Sequence, residues 1–144
     1  MARSAVVVDP EYLKHEPGEF HPERPERIRA LLDLAEKLDK DRFQVLPPRA
    51  ATRSDIESCH GADYVKLVEA TSKRNRYALD GDTITCRDSF AVGLLAVGGF
   101  LRLIDSIAAG ESSNGFALVR PPGHHALRNR AMGFCFFNTI TIGT

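Results

Sequence analysis

This sequence lacks several features that would direct a function assignment. Lysine plus arginine (19) equals aspartate plus glutamate (19), so no net field attracts nucleic acid or an anionic membrane surface. Only three cysteines are present, an odd number at wide spacing, and no long apolar stretch typical of a secretion signal opens the chain. These absences favour a reducing compartment. We expect a cytoplasmic protein, or a nuclear one if the source is eukaryotic.

A long uninterrupted hydrophobic run is also missing. The most apolar region, residues 90–109, contains Arg102 and Asp105, which argues against a membrane span. Apolar residues recur there at every third or fourth position, and this spacing predicts a packed helix that ends at Gly110. Glycine inside a helix costs roughly 1 kcal/mol relative to alanine. We therefore expect close contact with a neighbouring element at three glycines of this helix: Gly93, Gly98 and Gly99.

The remaining composition is that of one ordinary globular domain. Of the 144 residues, 43% are apolar and 26% charged, and the sequence shows no repeat, low-complexity tract or linker. Apolar runs predict strands at residues 4–8, 43–46 and 116–119, and helical spacing predicts helices from Pro25 and around Tyr64. This alternation indicates an α/β fold.

Two further segments lie between these elements. We expect a surface loop over residues 11–24. We also expect a short helix that begins with a capping box at Ser54 and Glu57 and ends at Gly61.

Two adjacent histidines, His124 and His125, follow the last predicted strand. Adjacent side chains of a regular strand point to opposite faces, but the preceding Pro-Pro-Gly excludes strand geometry and places the pair on a loop. Ligands of open α/β sheets bind at such strand ends. Two imidazoles there suit a reaction in which protons are taken and given near neutral pH.

Residues 120–126 (Arg-Pro-Pro-Gly-His-His-Ala) and 132–138 (Met-Gly-Phe-Cys-Phe-Phe-Asn) together resemble the histone deacetylase family closely. The resemblance implies an arginase/deacetylase-like parallel sheet with helices on both faces, of which only the N-terminal part is present. It also implies that residues 1–144 are the N-terminal portion of a single, incomplete deacetylase domain. By this resemblance His125 is the general base that activates zinc-bound water, and His124 is its proton-sharing or electrostatic partner.

Other segments resemble the family in the same order along the chain. In residues 21–27 the last arginine, Arg27, matches the residue that lines an inner channel beneath the active site. Residues 59–65 resemble a structural helical segment, and Asp82 matches a rim residue that holds the substrate backbone. Gly133 and Phe134 match the walls of the narrow acyl-lysine tunnel. For Phe136 and Phe137 we expect core packing, and for Cys135 an inert buried thiol.

The metal ligands that the family requires are not in this sequence. The family takes them from an Asp-x-His motif and a later aspartate, both downstream of the matching segments. The scattered His15, His21 and His60 lack the spacing of a zinc site. We therefore expect Zn²⁺ in the intact protein, with ligands absent from this chain, and we expect the 144 residues alone to be inactive and to aggregate or fold only in part.

The resemblance leaves the substrate open. The leading interpretation is a hydrolase that removes acetyl from acetyl-lysine in histones or other proteins. An acetylpolyamine amidohydrolase or an acetoin-utilisation type deacetylase, acting on an acetylated small amine, carries the same motifs. A rival of another class is a non-catalytic truncated product or interaction module. Two short basic runs, residues 73–76 and 128–130, are typical of solvated surface, so direct nucleic-acid binding is not expected. The sequence does not specify an oligomeric state.

Overall fold

A computed structural model describes residues 3–144 of the chain. Two short β-sheets, α-helices and one 3-10 helix make up this part. In chain order the elements are β1 (Arg3–Val7), the 3-10 helix (Pro10–Lys14), α1 (Glu26–Ala35), β2 (Phe43–Leu46), α2 (Arg53–Glu57), α3 (Ala62–Thr71), β3 (Arg76–Ala78), β4 (Ile84–Cys86), α4 (Ser89–Ala108), β5 (Ser112–Ala117) and α5 (Thr139–Ile142).

The larger sheet is parallel and has the order β2-β1-β5. In its register Val6 of β1 stands opposite Val45 on one side and Phe116 on the other. β1 lacks polar alternation because it is covered on both faces. Val6 packs in a cluster with Ile28 of α1, whereas Val7 packs with Leu103 of α4. The predicted α/β fold, with helices on both faces of a parallel sheet, is therefore confirmed.

The longest helix, α4, is apolar and long enough to cross a membrane by length and composition alone. In the structure it packs against β1 and β5. The predicted close contacts at its glycines are present. A Cβ on Gly98 would overlap the Arg49 carbonyl oxygen and approach the Ala51 nitrogen to 2.6 Å, and a Cβ on Gly99 would lie 2.9 Å from Val7 Cγ1. Glycine thus lets the helix lie directly on the neighbouring backbone.

Several local predictions were wrong. The capping box that begins α2 consists of Thr52 and Asp55, not Ser54 and Glu57. Gly61 does not end that helix but is the N-cap of α3. Residues 11–24 are not entirely loop, because they include most of the 3-10 helix. The strand predicted at residues 116–119 covers Ser112–Ala117 instead.

Two further elements were not predicted. β3 and β4 form an antiparallel hairpin in which Arg76 pairs with Cys86, and the polar loop at residues 79–83 is its turn region. The β-branched segment that begins at Asn138 is a short helix, α5, whose first turn is capped by the Asn138 side chain. The turn of the hairpin lies beside the segment that follows the histidine loop, because the Thr83 hydroxyl accepts a hydrogen bond from the Phe134 amide.

Candidate active site

The paired histidines lie on the loop that follows β5, as the sequence predicts. Their imidazole rings are 4.2 Å apart between centroids and inclined at 49°, and both side chains are exposed. The His124 amide donates to the Cys135 sulfur at 3.5 Å. This bond ties the histidine loop to residues 133–135, so the two motifs recognised in the sequence form one surface.

Gly133 and Phe134 form a wall beside the histidines. The ring of His125 lies so close to Gly133 that a Cβ there would be 2.7 Å from the His125 Cδ2. Both Gly133 (φ 56°) and Phe134 (φ 69°) adopt the left-handed conformation, which is uncommon for a residue other than glycine. The Phe134 amide donates to the Thr83 hydroxyl at 3.1 Å. That bond ties the backbone of Phe134 to the hairpin loop.

Asp82 lies at the rim of the same surface. Its carboxylate accepts a hydrogen bond from the Thr83 hydroxyl at 3.1 Å, and its backbone carbonyl accepts one from His21 Nε2 at 2.8 Å. His21 Nδ1 accepts from the Glu23 amide, so the hydrogen bonds require the Nε2–H tautomer. The His21 ring also meets the Phe134 ring edge-on, with centroids 4.9 Å apart. The structure thus brings together five predicted site residues: Asp82, His124, His125, Gly133 and Phe134.

Arg27 is set apart from this group. It lines a cavity of about 370 Å³, together with Ile28 and Pro122. Its guanidinium lies 3.7 Å from the Glu23 carboxylate, and its side chain is 62% exposed. The cavity reaches Arg120, at the start of the histidine loop. Arg27 therefore lies behind that loop rather than on the surface formed by Asp82 and Phe134.

A buried charged cluster beneath the histidine loop was missed by the sequence analysis. Arg120 and Glu23 are 3% and 1% exposed, and the guanidinium contacts both carboxylate oxygens, at 2.8 and 2.9 Å. His15 Nε2 lies 3.3 Å from the same carboxylate. Its Nδ1 is 2.7 Å from the Ser89 hydroxyl at the start of α4. Arg120 adjoins the histidine motif, but no spacing in the sequence links it to a glutamate 97 positions away.

Hydrogen bonds within this cluster shift the pKa values of its ionisable side chains. Burial opposes ionisation of Glu23, but hydrogen bonds from His15 and Arg120 and the charge of Arg120 outweigh it and lower its pKa to about 2. Burial alone would lower the pKa of His15, yet its contacts with Cys86 and Glu23 raise it. Burial likewise opposes ionisation of Cys86, and hydrogen bonds from His15 and Ser89 lower its pKa to about 6.

His60 and Tyr64 anchor the segment that carries Phe134. His60 Nε2 accepts from the Asn138 amide at 2.9 Å, and Nδ1 donates to the Arg128 carbonyl at 3.1 Å. Burial lowers the pKa of His60. The Tyr64 hydroxyl donates to the Phe136 carbonyl at 2.7 Å. These contacts are structural, as expected for residues 59–65.

The aromatic and thiol side chains after Phe134 point into the core. Phe136 and Phe137 are almost completely buried in one cluster with Tyr64 and Val97, which confirms the predicted packing. Cys135 is also fully buried, and its thiol donates to the Gly133 carbonyl at 3.3 Å. Burial raises the pKa of this thiol, so it is protonated at neutral pH, as the inert assignment requires.

Comparison with known proteins identifies the family of this chain. The histone deacetylase domain matches residues 21–144. The chain belongs to the histone deacetylase family. It is 37% identical over 142 residues to a probable deacetylase of Archaeoglobus fulgidus, covering 96% of this chain and 39% of that protein. It is 42% identical over 127 residues to the human polyamine deacetylase HDAC10, covering 83% of this chain and 19% of the relative.

The solved structures place this chain in the histone deacetylase fold as well. The crystal structure of the HDA15 HD domain superposes with a TM-score of 0.89 at 35% identity, over 99% of this chain and 42% of that one. The chain thus spans less than half the length of the relatives it matches. The shared fold extends through the hairpin, the histidine loop and α5.

Histone deacetylases generally use zinc. Within residues 3–144, no group of three or more His, Cys, Asp or Glu side chains is arranged to hold a metal ion. His124 and His125 have no carboxylate or thiolate partner in this part of the chain that would complete a ligand set. The described residues therefore do not fit a zinc centre by themselves.

Proposed function

We propose that this chain is part of a zinc-dependent deacetylase that hydrolyses the acetyl amide of acetyl-lysine. The observation that carries the proposal is the surface on which two imidazoles 4.2 Å apart adjoin Gly133 and Phe134, with Asp82 at the rim. A general base, a narrow apolar wall and a carboxylate that accepts amide N–H groups are the parts that amide hydrolysis of an extended substrate needs.

In this proposal His125 accepts the proton of the attacking water. His124 shares or electrostatically supports that charge, since its ring centre is only 4.2 Å away. The ring of Phe134 and the backbone of Gly133 exclude water from the acyl-lysine side chain, and Asp82 accepts hydrogen bonds from the substrate backbone. Residues 1–144 would be the N-terminal portion of one deacetylase domain, and the zinc ligands would come from residues outside these 144.

We also propose that Arg27 lines an inner channel behind the histidine loop. The cavity of about 370 Å³ beside it supports this role. The Arg27 guanidinium lies 3.7 Å from the buried Glu23 carboxylate, which restrains its position. The rest of the side chain is exposed and lines the cavity. A small anionic product such as acetate would be attracted to this side chain.

An acetylated polyamine is the second candidate substrate. The observation that favours it is the 42% identity to a relative named a polyamine deacetylase. A cytoplasmic location fits both substrates and stays a prediction.

The test uses the full-length protein that carries this chain, loaded with zinc. Acetate release is measured from an acetyl-lysine peptide and from an acetylated polyamine. The variant His125→Ala should lower kcat by about 10²–10⁴-fold because the general base is lost. Leu127→Ala, an exposed residue of the same loop, is the control and should retain wild-type kcat. A His125→Ala enzyme as fast as wild type would remove His125 from its role, and a wild type inactive on both substrates would refute the proposed function.

A further inference from the structure

Arg120 is the centre of a hydrogen-bond network that joins two separate segments. Besides its bonds to both Glu23 carboxylate oxygens, the guanidinium donates to the backbone carbonyls of Tyr12 and His15, each at 2.7 Å. A further bond reaches the Glu23 carbonyl at 3.3 Å. One side chain thus holds the 3-10 helix, the segment after it and residue 23.

Arg120 and Glu23 belong to two segments that both contribute to the candidate active site. Arg120 itself stands four residues before His124. Glu23 stands two residues after His21, which bonds to the Asp82 carbonyl and packs against Phe134. A change in the distance between Arg120 and Glu23 would therefore move the imidazole pair relative to the rim.

The pair can fix an orientation as well as contribute to stability. Desolvating two charges offsets much of their attraction, so an apolar pair of similar volume often supports a fold equally well. The planar guanidinium, by contrast, meets a carboxylate through two parallel bonds in one fixed geometry. No buried side-chain nitrogen or oxygen among residues 3–144 lacks a hydrogen-bond partner. The fork of Arg120 is therefore fully used in a single arrangement.

We propose that Arg120 and Glu23 are positioning residues for the deacetylase reaction. Their ion pair fixes the imidazoles of His124 and His125 relative to the rim that His21, Asp82 and Phe134 form. Neither residue touches the substrate. The proposal rests on the proposed function for its kinetic consequence, whereas its effect on the histidine loop does not depend on any activity.

The experiment compares three variants of the full-length, zinc-loaded protein. Arg120→Lys keeps the charge but cannot span both carboxylate oxygens and two carbonyls. Glu23→Gln keeps the shape but removes the charge. Arg128→Lys is the matched control, because Arg128 is exposed on the same loop. Each variant is assayed for kcat and KM on an acetyl-lysine peptide and for hydrogen exchange of the backbone amides of residues 120–126, with α3 as the internal reference.

We expect Arg120→Lys and Glu23→Gln to lower kcat about tenfold to hundredfold while KM changes less than about threefold, since small misplacement of reacting groups is costly. Exchange of the 120–126 amides should accelerate about tenfold or more, with α3 unchanged. Wild-type kcat and exchange in both variants would overturn the proposal. So would failure of both variants to fold while Arg128→Lys folds, because the pair would then serve stability alone. A wild type without deacetylase activity would refute the proposed function, and the exchange rates would still decide whether the pair positions the loop.

Discussion

Glu23 combines complete burial with a full negative charge. Burial opposes its ionisation, but His15 and Arg120 hold its pKa at about 2, against an ordinary value of 4.5. A group whose pKa is lower in the folded state than in the unfolded state adds stability above the unfolded value. That stability is lost as the pH falls from 4.5 towards 2. His15, whose pKa is raised above 6.5, adds stability below pH 6.5 and loses it as the pH rises through its folded value.

Acid should therefore destabilise the protein through Glu23 in particular. A difference of about 2.5 pKa units at about 1.36 kcal/mol each corresponds to roughly 3 kcal/mol of unfolding free energy, lost between about pH 4.5 and 2. Urea unfolding of the full-length protein at a series of pH values measures this loss. Glu23→Gln should have a flatter profile in that range. Equal slopes for the variant and the wild type would show that the carboxylate does not have a lowered pKa.

At the scale of single elements, α4 depends on glycine where it crosses residues 49–51. A methyl group on Gly98 would meet backbone atoms, which cannot rotate away as a side chain can. Gly98→Ala should therefore destabilise the protein by about 1–3 kcal/mol, the usual cost of overpacking, although alanine favours a helix by roughly 1 kcal/mol.

The control is Gly81→Ala, because a Cβ on Gly81 would meet nothing within 4 Å. Its unfolding free energy should stay within about 1 kcal/mol of wild type. Urea denaturation of both variants gives the comparison. A Gly98→Ala protein more stable than wild type would mean that α4 does not lie directly on the backbone of residues 49–51.

The elements differ in how well the sequence predicts them, and the reason is the strength of the local signal. β1 and α4 were predicted because an unbroken apolar run and five turns of helical spacing leave few alternatives. The hairpin was missed because β3 and β4 have three residues each, too few to show alternation. For α2, the Thr52–Asp55 and Ser54–Glu57 pairs share the same spacing, and the sequence does not choose between them.

The candidate site shows the same limit. Its motifs predict that His124 and His125 lie on a loop, since Pro-Pro-Gly excludes a strand. The buried pair of Glu23 and Arg120 depends on a tertiary contact between segments 97 residues apart, for which the sequence holds no local signal. The spacing of His15 excludes it as a zinc ligand but gives no sign that its buried imidazole contacts Glu23. The roles in a reaction stay predictions for all six site residues: Arg27, Asp82, His124, His125, Gly133 and Phe134.

At the scale of the whole molecule, both edges of the parallel sheet present apolar side chains. Val45 of β2 is 51% exposed and Phe116 of β5 is 61% exposed. An uncovered strand edge with apolar side chains is a template for pairing with another chain. The 144-residue chain expressed alone should therefore self-associate, and analytical ultracentrifugation at several concentrations measures this.

The variant Phe116→Lys should reduce this association, because a charged side chain on an edge strand opposes pairing. Arg128→Lys, which leaves both edges unchanged, serves as the control. A monomer that melts reversibly in a single transition would show instead that residues 1–144 are self-sufficient as a folding unit.

The strand order of the parallel sheet also determines when its strands can pair during synthesis. β1 is the central strand, and its Arg3 pairs with Ser112 of β5, which lies 109 positions later in the sequence. At roughly 5–20 residues per second, a ribosome needs on the order of 5–20 s to deliver the second of these strands after the first. During that interval the valines of β1 lack their β5 partner, so nascent chains of intermediate length expose an unpaired strand edge that favours aggregation.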